Sequence, residues 1–182
     1  MWVNQPEAKG FGNAVLMAQP FVQNERCLVH AGDSCLISKD MDYLKKLLSS
    51  YERLNADAAF IVLEIENPKQ YGIVEGEEVE PGVIKVRSAT EKPEKPKSNL
   101  AIMAMYIFHP VIFKALEATT PGKNGEIQLT DAIQKLIEWG LSVYAIKLDK
   151  SYSHLDIGSP ERYWEALELS YKRFYRGNGN VR

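Results

Sequence analysis

Asp33 is the side chain best placed to do chemistry, because it stands alone after the apolar run Cys27-Leu28-Val29-His30-Ala31 and a glycine. That pattern predicts a short buried strand over 27–31 that delivers a carboxylate where the chain turns. Ligands of open α/β sheets gather beyond the carboxyl ends of strands, so an acid there suits a metal ion or a polar ligand. A turn former, or the cap of a following helix, is the plainer use of the same residue. Gly10 and Gly12 precede the helix-like stretch Asn13 to Gln19, which Pro20 is expected to stop. Glycines in that position let a ligand approach unpaired helix N–H groups, and they serve a tight turn equally well. His30, His109 and His154 have no metal-ligand spacing and read as structural.

These groups must be held by a chain of 182 residues, 45% apolar and 25% charged, with a net charge of -2. Length and balance predict one domain with a real core, over 1–176, followed by a fraying tail at 177–182. No apolar run reaches the length of a membrane span, and Met1 to Lys9 lacks the pattern of a signal peptide, so a cytoplasmic location is expected. Basic residues are spread along the chain, which predicts no nucleic-acid partner. Cys27 and Cys35 match no metal or redox spacing and are expected to be small buried hydrophobes without a disulfide.

Asp40 is a candidate N-cap for a helix carrying Leu44, Leu47, Leu48, Tyr51 and Leu54 at helical spacing. Ala58 to Ile65 is apolar almost throughout, the pattern of a central strand covered on both faces. Residues 71–75 and 83–87 predict an exposed antiparallel ribbon with Glu75, Glu77, Glu78 and Glu80 on its solvated face. Thr90 to Lys97 reads as a polar connector. Leu100 to Phe108 is a buried strand, and Pro110 opens a helix over 111–117. A glycine-rich loop at 121–126 leads to a helix over 128–139 that ends at Gly140, followed by a strand at 142–148. Ser159 caps a last helix with Tyr163, Leu167 and Tyr171 on one side. Strands interleaved with helices argue for an α/β sheet with an antiparallel insertion.

Taken in order, Gln5 with Gly10 and Gly12, Ala31-Gly32-Asp33, Tyr71-Gly72-Ile73-Val74-Glu75, Glu91-Lys92-Pro93, Gly125 to Asp131 and Leu155 to Pro160 resemble the sugar-1-phosphate nucleotidylyltransferases. The likeness covers residue 5 to about residue 170. It implies a mixed, mostly parallel Rossmann-like sheet flanked by helices, of the nucleotide-diphospho-sugar transferase type. The implied reaction is Mg2+-dependent transfer of a uridylyl (or thymidylyl) group from UTP or dTTP to glucose 1-phosphate, giving UDP-glucose or its thymidine counterpart.

Implied roles follow position by position. Gln5 and the Gly10 backbone hold the base, Asp33 and Asp156 hold Mg2+, and Gly72 lets the sugar lie against the backbone. Glu91 takes sugar hydroxyls, Lys92 grips the sugar phosphate, and Glu126 lies near the sugar pocket. Other uses of the same residues stay open: Asp33 and Asp156 as turn or cap acids, Lys92 as a solvated lysine, Gln5 as part of a loose terminus, and Glu126 as a helix-start acid.

The departure from that family is at the front, where its members carry a strand and a glycine-rich loop that wraps the triphosphate. The N-terminal βαβ portion is therefore expected to be missing, and the alternative function is a nucleotide-sugar-binding or regulatory module without turnover. A sheet lacking those strands should expose an edge near 27–31 or 58–65, so a homo-oligomer, or a second chain covering that face, is expected.

Overall fold

The computed structural model describes residues 1–37, 42–122, 125–172 and 175. The chain runs α1 (Phe11–Leu16), α2 (Gln19–Val22), β1 (Cys27–His30), β2 (Ser34–Ile37), α3 (Tyr43–Arg53), β3 (Ala58–Glu64) and a 3-10 turn at Pro68–Gln70. It continues through β4 (Gly72–Glu80), β5 (Val83–Glu91), β6 (Leu100–Phe108), α4 (Val111–Ala118), α5 (Leu129–Glu138), β7 (Val143–Lys147), β8 (Ser153–Asp156) and α6 (Pro160–Tyr171).

Six strands form one sheet in the order β1-β6-β3-β7-β5-β4. β3 is central, as its apolar run requires, and Ala58 to Leu63 are all buried. Its side chains alternate between two cores. Phe60 and Val62 meet Phe113 and Leu116 of α4 and Ile133 and Leu136 of α5. Ala59, Ile61 and Leu63 meet Tyr43, Leu47 and Tyr51 of α3. Each fully buried side chain of this size contributes about 1.5–3 kcal/mol, so helices on both faces hold the sheet rigid beneath the site.

The α/β class is the expected one, but the share of parallel pairing is not. Only β3 and β7 run parallel among the described pairs, whereas β1–β6, β3–β6, β4–β5, β4–β6 and β5–β7 are antiparallel. The ribbon causes much of this difference. Instead of projecting into solvent, β5 joins β7 at one end, and β4 reaches β6 through Ile73 and Ala101 at the other.

Several local expectations are corrected. α1 ends at Leu16, before Pro20, which instead sits in the first turn of α2, where a proline fits. β1 is a half-buried edge strand paired with β6, with Leu28 54% exposed, so the free edge falls near 27–31 while β3 is internal. Cys27 is half-buried and Cys35 exposed; both are free, and only the first behaves as a packed apolar residue. Asp40 lies outside the described residues, and the residue before α3 is Asp42, whose carboxylate binds the Tyr152 hydroxyl and Lys46 Nζ instead of capping. Leu48 points to solvent. Thr90 and Glu91 complete β5 rather than opening a connector. Tyr163, Leu167 and Tyr171 face solvent, and Ala166 is the buried residue of α6. The tail at 177–182 also lies outside the described residues.

β6 carries an irregularity that matters for Asp33. Phe60 pairs with Tyr106 and Val62 with Ile102, so Ile61 alone faces Met103, Ala104 and Met105. Ala104 adopts φ 48, a left-handed conformation costly for any residue with a Cβ. The bulge turns its carbonyl toward Ala31 N, which donates at 3.1 Å and anchors the turn that leads to Asp33. Ala104→Gly removes the Cβ penalty and loses some of that gain to greater freedom of the unfolded chain. We expect it to stabilise the fold by about 0.5 kcal/mol, read as a higher urea midpoint with an unchanged slope.

Candidate functional site

β2 and β8 form a separate two-stranded antiparallel sheet, with Ser34 opposite Asp156 and Leu36 opposite His154. The Asp33 carbonyl accepts a hydrogen bond from Ile157 N at 2.8 Å, which extends the pairing by one step. Ser34 Oγ and His154 Nε2 lie 2.8 Å apart and tie the two strands together through their side chains. Two acids remote in sequence are thereby brought to one place. A methyl group on Gly158 would sit 3.0 Å from Asp156 Oδ1 and 3.4 Å from Asp33 Oδ2. Asp156 Oδ1 accepts from Gly158 N at 2.8 Å, and Oδ2 pairs with the Arg162 guanidinium.

Beside this pair lies a cleft of about 290 Å³ whose lining includes Asp33, Gly72, Glu91, Lys92 and Thr130. The β4–β5 register sets Gly72 opposite Glu91, and Lys92 N donates to Tyr71 O at 3.1 Å. Lys92 sits at φ 41, and its Nζ is 3.5 Å from Glu91 Oε1. Thr130, buried in the first turn of α5, donates through Oγ1 to Glu91 Oε2 at 2.7 Å. Gly72 leaves room for that bond: a methyl group there would lie 2.7 Å from Thr130 Oγ1 and 3.1 Å from Glu91 Oε2. Asp156 lines a neighbouring cleft of about 470 Å³, and Gln70 and Tyr71 form the wall between the two.

The remaining expected residues form a second group at the start of α1. Gln5 Nε2 donates to Gly10 O at 3.1 Å and to Asn13 Oδ1 at 2.8 Å. Glu126 accepts from Gln128 Nε2 at 2.8 Å, and its Cβ would touch a methyl group on Gly10 at 2.9 Å. Gln128 and Phe11 line the cleft of Glu91 and so connect the two groups. Of the eight residues singled out from sequence, Asp33, Gly72, Glu91 and Lys92 share one cleft. Asp156 adjoins it, whereas Gln5, Gly10 and Glu126 are neighbours of one another.

Sequence reasoning passed over Ser34, Thr130, Tyr106 and Arg162, and read His154 as structural. Burial holds the His154 imidazolium below its ordinary range, with Asp156 pulling the other way. Burial raises the Tyr106 phenol and the Asp131 carboxyl, and the charge of Glu91 adds to both shifts. The charge of Glu91 thus reaches a residue of its cleft, Tyr106, and a residue of α5, Asp131. A serine beside an acid and a threonine at a helix start leave no distinctive spacing, so only the fold reveals them.

A mixed α/β sheet with carboxylates at strand ends beside a polar cleft is the arrangement in which α/β proteins collect their ligands. The family model described as nucleotidyl transferase matches residues 2–172, and the chain belongs to that family. It is 36% identical over 182 residues to a UTP--glucose-1-phosphate uridylyltransferase of Pseudomonas aeruginosa, covering 96% of this chain and 63% of that protein. It is 35% identical to a putative UTP--glucose-1-phosphate uridylyltransferase of Methanocaldococcus jannaschii, with 95% and 60% covered. A crystal structure of UDP-glucose pyrophosphorylase complexed with UDP-glucose superposes with TM-score 0.87 at 35% identity, over 95% of this chain and 66% of that one. The chain therefore spans less than two thirds of the length of these relatives. No helix among the described residues is long and apolar enough to cross a membrane.

The close fit at Gly72 gives a direct check of the cleft. Gly72→Ala should lose about 1–2 kcal/mol through overpacking against the Thr130–Glu91 bond, measured as a lower urea midpoint; an unchanged midpoint would show that this contact is slack.

Proposed function

We propose that residues 1–176 act as one nucleotidyltransferase-like domain that transfers a uridylyl group from UTP to glucose 1-phosphate, giving UDP-glucose and pyrophosphate. The observation that carries this reading is the convergence of Asp33 and Asp156 over Gly158, beside a cleft that holds Glu91 and Lys92. The relatives named above support it, since their names state this reaction or its product.

In the proposed reaction a phosphate oxygen of glucose 1-phosphate bonds to the α-phosphorus of UTP. The bond from that phosphorus to the bridging oxygen breaks, and pyrophosphate leaves with the electron pair. No side chain need become a covalent nucleophile, so the protein aligns two polyanions and screens their charge. Asp33 and Asp156 fit Mg2+, a hard ion that takes one or two carboxylates and completes its shell with substrate oxygens and water. When bound, Mg2+ supplies charge neutralisation between the phosphates.

Lys92, with its side chain 61% exposed, is free to meet the attacking phosphate. Thr130 fixes Oε2 of Glu91, and Oε1, which faces Lys92 Nζ at 3.5 Å, is the oxygen offered to sugar hydroxyls. The Gln5 amide donates to Gly10 and Asn13, so its carbonyl remains as the acceptor for a base. That acceptor matches the imide N–H common to uracil and thymine, and dTTP is for this reason the second candidate donor. Glu126 orients Gln128, which lines the cleft of Glu91. A cytoplasmic location belongs to the proposal, in keeping with nucleotide substrates.

Incubated with Mg2+, UTP and glucose 1-phosphate, the full chain should release pyrophosphate. Asp33→Asn should slow release by about 100-fold without moving the thermal midpoint. UDP-glucose binding by calorimetry without any turnover would favour the nucleotide-sugar-binding module, and neither binding nor turnover at millimolar ligand would end both readings.

The exposed edge of β1, with Leu28 in solvent, also favours association with a second copy of this chain or with another chain. Sedimentation at micromolar concentration should show a homodimer; a monomer at every concentration tested would contradict it.

A further inference from the structure

We propose that Arg162 is a resident counter-cation of the acid pair, and that a divalent metal ion binds there by displacing its guanidinium from Asp156. The inference rests on the metal role given to Asp33 and Asp156 above. Arg162 rises from the first turn of α6, where Ser159 Oγ accepts from its backbone N at 3.3 Å. Nη1 pairs with Asp156 Oδ2, Nη2 donates to Gln70 Oε1, and the guanidinium carbon lies 6.0 Å from the centre of the Tyr71 ring. Three partners thus hold the guanidinium at one place, with the side chains of Arg162 and Asp156 only 34% and 25% exposed.

Charge explains why such a group is there. Asp33 and Asp156 face the same point over Gly158, and two carboxylates brought that close repel one another unless a cation stands beside them. Arg162 supplies a positive charge on the Asp156 side. A metal ion entering between the acids needs the same carboxylate charge, so the two cations exclude one another. The contacts to Gln70 and Tyr71 do not involve Asp156, which leaves the displaced guanidinium a place to rest on the wall between the two clefts. Arginine remains charged at all working pH values, so the competition is set by metal concentration rather than by protonation.

Arg162 is in these terms a positioning residue that tunes the affinity of the site for metal, and its removal should strengthen metal binding even where it harms turnover. A merely structural role predicts the reverse, because loss of a structural ion pair loosens the acids. Mn2+ binding to the full chain, followed by electron paramagnetic resonance in the absence of nucleotide, separates the two. Arg162→Met should bind Mn2+ about five-fold more tightly than the parent chain or better, and Arg162→Lys should fall between them. The lysine variant keeps a cation near α6 and tests the idea should the methionine variant fail to fold. Equal or weaker binding by the folded variants, with parent binding abolished by Asp33→Asn, overturns this inference alone. No Mn2+ binding by the parent or by either variant overturns it together with the metal role of the acid pair.

Discussion

The interaction on which the site depends is the pairing of β2 with β8, closed by the hydrogen bond from Ile157 N to the Asp33 carbonyl. Without it Asp33 and Asp156 are two turn acids on unrelated loops. With it their carboxylates converge over Gly158, where two like charges repel unless a cation stands beside them, as the Arg162 guanidinium does for Asp156. Backbone pairing therefore does the electrostatic work, since the positions of two like charges are fixed by main-chain bonds that neither carboxylate provides.

Two features of the larger sheet support that pairing. The Ala104 bulge accepts the Ala31 N–H and so fixes where β1 ends and Asp33 begins. The β4–β5 ribbon curls back to β6 and carries Glu91 and Lys92 to the same side of the molecule. Left-handed backbone at Ala104 and Lys92 marks both places. Conformations of that kind persist only where surrounding structure holds them, and they gather at sites where geometry is more useful than local comfort.

Much of this could be read along the chain. The continuous apolar run at 58–65 announced the central strand, and spacing announced α3 and α5, because burial imposes a period on sequence. The order of short motifs announced the acids, the lysine and the glycine of the cleft. What could not be read was pairing. Strand direction depends on which edges meet, so a ribbon that rejoins its sheet looks in sequence like one that projects. The same limit hid Arg162, whose importance comes from reaching Asp156 and Gln70, and Thr130, whose hydroxyl matters only because Glu91 lies above it. Tyr163, Leu167 and Tyr171 share a helix side as spacing requires, but periodicity does not say which side meets the core.

The small size of the β2–β8 sheet has a dynamic consequence. The β2–β8 pair has two strands and is tied to the core on the α3 side through Leu36, whereas the six-stranded sheet is clamped by helices on both faces. Partial opening of a protein proceeds through its smaller cooperative units, and the pair that bears the acids is the smaller of the two sheets. A ligand that bridges the two carboxylates would therefore act as a latch on this pair, slowing amide hydrogen exchange along Ser34 to Ile37 and Ser153 to Asp156.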